Sequence, residues 1–323
     1  MNDYMSVFAE YIQGMLEARD ALGYAREPHA SILRSFDRYC SENKPDCREL
    51  TEQLAMSWLL KGSDCTKGIQ GRAASIRLLA QYINLSGCTA YMLPERYFGS
   101  AKTKDRHIFT DAELSRLFSA IDSLPESSGV PYSRQMLPVL FRLIYTCGLR
   151  PQEGRTLKRR NINLDAGSML LTNTKKKKER FVAMSDDMIA VCRQYEKMRQ
   201  FFYEDNPYFF PGPDGGPVDG QWLNRQFSKC WKLANPDIPQ DRLPSVSVYS
   251  LRHRFASARL NRWLDAGKDL EAMLPRLRAY MGHHTLSETA YYIHLLPENL
   301  AKSSGIDWGS FSGIIPEVEP WED

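Results

Sequence analysis

The sequence predicts a mainly α-helical protein with a small antiparallel β-sheet, built as a helical N-terminal domain followed by a larger α+β domain. Three observations predict it. Apolar residues recur at the three-and-four spacing of amphipathic helices over most of the 323 residues. Strand-like runs are confined to "NINL", "SMLLTNT" and "RFVAM", between residues 161 and 184. A polar, basic segment, "GSAKTKDR" at 99–106, interrupts the apolar periodicity. A chain of this length holds about two domains of usual size.

Within residues 1–98, Val7, Phe8, Tyr11, Ile12, Met15 and Leu16 mark one face of a first helix. Ile32, Leu33, Phe36 and Cys40 mark a second, and Leu54, Trp58 and Leu59 a third. A fourth helix runs through "GIQGRAASIRLLAQYINLSG" and is expected to stop at Ser86-Gly87, where glycine takes the left-handed cap. It carries Arg72 and Arg77, which could meet phosphates.

The larger domain, 107–302, opens on "FTDAEL": Thr110 is placed as N-cap with Glu113 three positions on, and Phe109 and Leu114 are placed for a hydrophobic staple. A helix within "QMLPVLFRLIYTCG" is expected to end at Gly148. The strands follow, with the turn composition Asp165-Ala166-Gly167 between the first two and the tip "KKKKE" before the third. Ser185-Asp186-Asp187 caps a helix bearing Met188, Ile189, Cys192, Tyr195 and Met198. After a turn-rich loop, further helices are expected at 219–234, 246–265, 268–280 and 286–296, and a tail at 303–323.

Composition narrows the class. No run of about 18 apolar residues occurs, and "MNDYMSVFAEYIQG" lacks a basic start and an unbroken apolar stretch, so neither a membrane span nor a signal peptide is expected. Seven scattered cysteines, an odd number without a CxxC pair, argue for reduced thiols in the cytoplasm and against a zinc site. Charge is uneven. Residues 1–100 carry 11 basic and 12 acidic side chains, residues 101–294 carry 30 and 21, and the remainder 1 and 6. The middle is a candidate polyanion-binding body with an acidic tail.

Four places hold residues suited to chemistry. In "CGLRPQEG", Arg150 follows a helix-ending glycine, Pro151 suits the first position of a new helix, and Glu153 is near enough to orient Arg150. A structural Arg–Glu pair at a turn would look the same. Lysines in a turn are ordinarily solvated, yet one of Lys175, Lys176, Lys177 and Lys178 could swing over a phosphate as a charge and proton donor. In "VYSLRHRFA", Tyr249 and Arg252 share a helix face while Leu251, Phe255 and Ala258 form the apolar stripe, so Arg252 is expected to point away from the core. In "MGHHTLSETAYYIHLL", Thr285 and Glu288 form a second capping-box pattern, which places Tyr291 and Tyr292 in a helix starting just after His283 and His284.

Two arginines, a lysine, a histidine and a tyrosine suit one reaction without metal or nucleotide. Two guanidiniums hold the non-bridging oxygens of a phosphodiester and stabilise the charge of the pentavalent state. A tyrosine oxygen attacks phosphorus to give a covalent phosphotyrosyl link, and a lysine protonates the departing sugar oxygen. No Walker P-loop and no carboxylate pattern for a two-metal nuclease is present, so no cofactor and no metal are expected.

In order and spacing, "TCGLRPQEGRTLKRRNINL", "TKKKKERFVAM", "YSLRHRFAS" and "MGHHTLSETAYYIH", from Thr146 to His294, resemble the tyrosine recombinase (phage integrase) family. The N-terminal helices resemble that family's core-binding domain more loosely, through "RLLAQYINLSG". The resemblance implies that Arg150 is the first catalytic arginine, Glu153 its acidic companion, Lys175 the acid with Lys176 as the alternative register, and Arg252 the second arginine. It makes Gly282-His283 the family's Gly-His pair and sets the nucleophile nine residues after the histidine, at Tyr292, with Thr289 and His294 also at expected positions. Tyr291 is then a packing neighbour and His284 a DNA-facing one. Tyr249 stands where the family usually has histidine, and a phenol with a pKa of about 10 is a poor proton shuttle.

The implied function is site-specific recombination or integration on double-stranded DNA. Two domains would clamp the duplex, with the linker 99–106 and its Lys102 and Lys104 crossing it and Lys176, Lys177, His284, His294, Arg72 and Arg77 adding contacts. The resemblance also implies a homotetramer on DNA, nucleoid association of a cytoplasmic protein, and a tail that docks on a neighbouring protomer. No added arm-binding domain is visible ahead of the 1–98 domain, so recognition of distant arm sites is not expected. A type IB topoisomerase-like activity and a non-catalytic DNA-binding regulator are the alternative readings.

Overall fold

A computed structural model describes residues 4–295 except 25, 45–46, 62–65, 96, 99–106, 127–128, 173–178 and 204, with backbone alone at 66–67 and 294–295. The linker lysines Lys102 and Lys104, the hairpin lysines Lys175, Lys176 and Lys177, the His294 side chain and the tail lie outside the described residues. What is described is mostly helical, with one small antiparallel sheet, as the sequence predicts. The chain divides into two compact units, Met1–Lys104 and Asp105–Asp323.

The first unit holds α1 (Ala9–Ala21), α2 (Glu27–Asn43), α3 (Glu52–Leu59) and α4 (Thr66–Leu85). Phe8, Ile12, Leu16, Leu33, Phe36, Trp58, Ile76 and Leu79 fill its centre. Phe36 lies at the middle of that core, with ring centroids 5.6 Å from Phe8 and 5.2 Å from Trp58. Buried Asp37 of α2 accepts the backbone N–H groups of Met5 and Ser6, fixing the chain that leads into α1. Val7, expected on the apolar face, is exposed; it lies in the turn before α1 begins. α4 ends as predicted: Gly87 has φ +85 and the Cys88 N–H returns to the Ile83 carbonyl.

The second unit opens with α5 (Asp111–Asp122), whose Thr110–Glu113 capping box is complete. α6 (Ser133–Thr146) and α7 (Pro151–Arg155) follow. Strands β1 (Ile162–Asn163), β2 (Ser168–Leu171) and β3 (Arg180–Ala183) pair antiparallel in that order, with Ile162 opposite Met169 and Leu171 opposite Arg180. α8 (Asp186–Tyr203), α9 (Gly220–Leu233), α10 (Tyr249–Asp265), α11 (Leu270–Met281) and the single turn α12 (Leu286–Ala290) complete the helices. α10 packs on both α6 and α11. It therefore buries Leu251, Arg252, His253, Phe255 and Ala256, nearly its whole circumference at the N-terminal end.

That burial corrects one expectation. Arg252 does not point away from the core but is 0% exposed, because neighbours cover the helix face assumed to be open. The last helix is also not one helix. It ends at Ala290, and Tyr291–Leu295 form a tighter 3-10 turn.

Gly148 connects fold to site. Its φ of +60 is left-handed, and a Cβ there would come within 2.4 Å of the Phe255 ring on α10. Gly148→Ala is expected to cost about 2–4 kcal/mol, combining backbone strain with overpacking. Urea unfolding at neutral pH measures it, and a loss under about 0.5 kcal/mol would contradict the close approach.

Candidate active site

The site is built on the C-terminal ends of two helices. The last carbonyls of a helix lack internal donors and carry partial negative charge, so they attract guanidinium groups. Beyond the end of α6, Gly148 offers its carbonyl to Arg252 Nη1 at 2.6 Å. At the end of α11, Met281 accepts Arg252 Nη2 at 2.7 Å, Gly282 accepts Arg150 Nη2 at 2.7 Å, and Tyr280 accepts Arg180 Nε at 2.9 Å. Gly282 itself has φ +64, which turns the chain out of α11 into His283.

Glu153 ties the arginines together. Arg150 Nη1 donates to its Oε1 at 2.8 Å, and the Arg150 backbone N–H donates to Oε2 at 2.9 Å. Arg180, at the start of β3, donates to both oxygens, at 2.9 and 2.8 Å, in a two-pronged pair. Arg252 Nη1 stands 3.9 Å from Oε2. Burial alone would raise the carboxyl's pKa, but hydrogen bonding and charge from Arg180, the Arg150 N–H and the Arg252 charge together hold it at about 2. Burial, and then the Arg150 charge, pull the Arg252 pKa below its usual range, opposed by Tyr249, Tyr292 and Glu153. Its Nε is buried with no hydrogen-bond partner among the described residues.

Tyr292 faces this group. It is 2% exposed, and its ring stacks on His283 with centroids 5.8 Å apart and planes 10° from parallel. His283 Nδ1 lies 2.8 Å from the Thr289 hydroxyl. Thr289 and Tyr292 are three residues apart, so the α12-to-3-10 transition puts both on the His283 side. Tyr249 is half-buried at the first position of α10, its ring 4.9 Å from that of His253. His253, 4% exposed, sets Nδ1 3.2 Å from the Tyr292 hydroxyl.

The structure thus brings together Arg150, Glu153, Tyr249, Arg252, His283 and Tyr292. Tyr291 is half-buried beside Tyr292, with centroids 6.0 Å apart, and His284 is exposed. The capping pattern at 285–288 is half formed. Thr285 accepts the Glu288 N–H, but the Glu288 carboxylate takes the His284 N–H. In the first unit, Arg72 donates to the Lys61 carbonyl and Arg77 to the Glu95 carbonyl, so each spends a donor within its own unit.

The sequence reading left out Arg180 and His253. Arg180 was legible. In β3, Phe181 is 74% exposed and Val182 buried, so the period of two turns Arg180 inward with Val182, and an inward charge needs a partner. His253 sits one helical turn beyond Tyr249, a spacing that places both side chains on one face.

A sequence model of the phage integrase family matches residues 107–299, more than half the chain. The protein belongs to that family. This integrase-family chain is similar to the "Putative integrase/recombinase y4rE" of Sinorhizobium fredii, at 28% identity over 91% of this chain and 93% of that one. The tyrosine recombinase XerD of Rhizobium meliloti is 30% identical over 58% of this chain and 57% of its own. Among solved structures, the XerH site-specific recombinase bound to a palindromic difH substrate superposes with a TM-score of 0.63 at 19% identity, covering 94% of this chain and 85% of that one. The Tn1549 transposon integrase with transposon right-end DNA gives 0.63 at 16%, covering 92% and 98%. No described helix is long and apolar enough to cross a membrane.

One electrostatic consequence is measurable in this integrase-family protein. Burial, then Arg252, Arg150, Arg180 and His253, push the His283 pKa down to about 3, so its imidazole is neutral at pH 7. An unfolded histidine takes its proton near pH 6.5, and between these values the unfolded state holds one proton more. Stability contributed this way is complete above about pH 6.5 and is lost as pH falls towards 3. Denaturation midpoints of wild type are expected to fall between pH 6.5 and 4.5, with a shallower fall in His283→Gln. Parallel slopes would refute the assignment.

Proposed function

We propose that this integrase-family protein is a site-specific DNA recombinase that cleaves and rejoins strands through a 3′-phosphotyrosyl link to Tyr292. One observation carries the reading: a buried tyrosine stacked on His283, the residue that follows the α11 carbonyls by which, with one carboxylate, the arginines are fixed. Fixed donors need no reorganisation as charge develops on a phosphate, which is where such sites gain most. The buried Nε of Arg252 is an orphan donor that a non-bridging oxygen would satisfy. Arg150, half-buried, offers the second guanidinium.

The Tyr292 oxygen attacks phosphorus, the bond to the 5′-oxygen breaks, and the diester's energy is kept in the phosphotyrosyl bond. Rejoining therefore needs no nucleotide. His283, neutral at working pH, lies along the Tyr292 ring and can exchange a proton or donate a hydrogen bond to the phosphate. Lys175, or Lys176 in the alternative register, protonates the leaving 5′-oxygen. Double-stranded DNA is the substrate in this reading; the solved XerH is bound to a palindromic difH substrate and the solved Tn1549 integrase to transposon right-end DNA. Arg72, Arg77, Lys102, Lys104, Lys177, His284 and His294 supply contacts outside the reacting phosphate, and strand exchange proceeds in a homotetramer on DNA. In this reading the second unit carries the catalysis and residues 1–98 add DNA contacts.

A non-catalytic DNA-binding regulator is the second reading, favoured by Tyr249 in the position where histidine is usual. A nicked duplex that loses its cleaved end separates the two. Incubated with such a duplex carrying a site the protein demonstrably binds, wild type is expected to form a denaturant-resistant adduct. Binding without an adduct would establish the regulator.

A further inference from the structure

We propose that His253 accepts the phenolic proton of Tyr292 as the strand is cleaved. The inference rests on the reading of Tyr292 as nucleophile. A phenol that attacks phosphorus near neutral pH must lose its proton, because its pKa of about 10 leaves almost none ionised. A base for that proton has to stand within hydrogen-bond reach of the oxygen. Among the described groups, His253 Nδ1 is a ring nitrogen at that distance, 3.2 Å from the Tyr292 hydroxyl.

Geometry makes the assignment specific. Tyr249 occupies the first position of α10, and His253 lies one turn further along the same face, their ring centroids 4.9 Å apart. The imidazole is thus displaced by one turn of a rigid helix relative to the position Tyr249 fills. His253 is 4% exposed and Tyr292 2%, so bulk water is not the ready acceptor it would be at a surface. His253 sits next in sequence to Arg252, and α10 is clamped between α6 and α11, so the nitrogen is held in place rather than swinging into it. His283 lies nearly parallel to the Tyr292 ring, centroids 5.8 Å apart, and its Nδ1 is 2.8 Å from the Thr289 hydroxyl. The charged and titratable groups around His253 include Arg252 and Tyr249 on its own helix, Tyr292 on the 3-10 turn, and His283 after α11.

The step balances without a co-reactant. With the ring hydrogen on Nε2, Nδ1 takes the proton from the Tyr292 hydroxyl while the oxygen forms its bond to phosphorus and the bond to the 5′-oxygen breaks. The 5′-oxygen receives its proton from the lysine acid. On rejoining, the 5′-hydroxyl attacks phosphorus and returns its proton to the lysine, the phosphotyrosyl bond breaks, and the Tyr292 oxygen recovers the proton from His253.

The test compares single-turnover cleavage of the suicide duplex by full-length wild type, His253→Asn and His253→Ala. Asparagine keeps a hydrogen-bonding atom near the place of Nδ1 but cannot hold the proton. Both variants are expected to cleave about 10²-fold more slowly at pH 7, with DNA affinity unchanged. The deficit should shrink as pH rises towards 10 and the phenol ionises unaided. Added imidazole should restore His253→Ala, whereas pyrazole, the same size and a far weaker base, should not. Equal rescue by the two would show that His253 only fills space, and cleavage by His253→Asn at the wild-type rate would also overturn the role. Should His253→Asn fail to fold, the imidazole–pyrazole comparison on His253→Ala still decides. Wild type that forms no adduct fails the recombinase reading itself; wild type that cleaves while the histidine variants keep its rate fails this inference alone.

Discussion

Tyr292→Phe is expected to abolish the covalent protein–DNA adduct, while Tyr291→Phe retains it. The substitution removes one oxygen and leaves the ring, so the stack on His283 and the packing against α10 persist. The lost hydroxyl contact with His253 is worth about 1 kcal/mol of stability, too little to unfold a domain or release DNA. A nucleophile, by contrast, has no partial substitute: without Oη no bond to phosphorus forms, and adduct should fall to the assay background. The two tyrosines are adjacent and their rings are 6.0 Å apart, so general damage would affect both variants alike. Loss of adduct only with Tyr291→Phe would move the site by one residue. It would then leave the buried hydroxyl beside His253 without a role in the chemistry.

How far the site was legible depends on what each residue needed. Arg150 and Glu153 were legible because a helix-ending glycine, a first-turn proline and an acid three positions on define local geometry, and the bonds between them are local too. The choice of Tyr292 over Tyr291 came from resemblance and spacing, since periodicity alone does not say which of two neighbours turns inward. That depended on the 3-10 turn after Ala290, a change of pitch without a sequence signature here. Arg252 was misplaced for a different reason. Helical pattern assigns polar residues to water, but three packing elements cover α10, and its arginine is satisfied by carbonyls 29 and 104 residues away. Contacts of that separation are set by tertiary packing. The fold class was easier: capping at Thr110, the glycine turn at 167 and alternation in β3 are all local devices.

Glu153→Gln is the variant expected to cost most in stability, about 3–5 kcal/mol, and it separates support from chemistry. In wild type one carboxylate accepts four hydrogen bonds from Arg150 and Arg180 and stands 3.9 Å from Arg252. Glutamine keeps the shape but replaces one acceptor oxygen with an NH2 group that faces guanidinium donors, and it removes the negative charge that the three cations share. Those cations then repel one another at low exposure, where screening is weak. The loss should be read by urea unfolding at pH 7, and added sulfate should restore the variant more than wild type by entering the unbalanced site. The pH dependence gives a second signature. Wild-type Glu153, held at about 2 against about 4.5 when unfolded, contributes stability that is lost as pH falls from 4.5 towards 2. Glutamine has no proton to exchange, so that slope should vanish while the His283 slope at higher pH remains. A variant as stable as wild type would mean that the helix-end carbonyls of Gly148, Met281 and Gly282 hold the arginines by themselves. Cleavage by Glu153→Gln should then be normal as well, because the placement of Arg150 and Arg252 is the only route by which a carboxylate pinned between guanidiniums reaches the reaction.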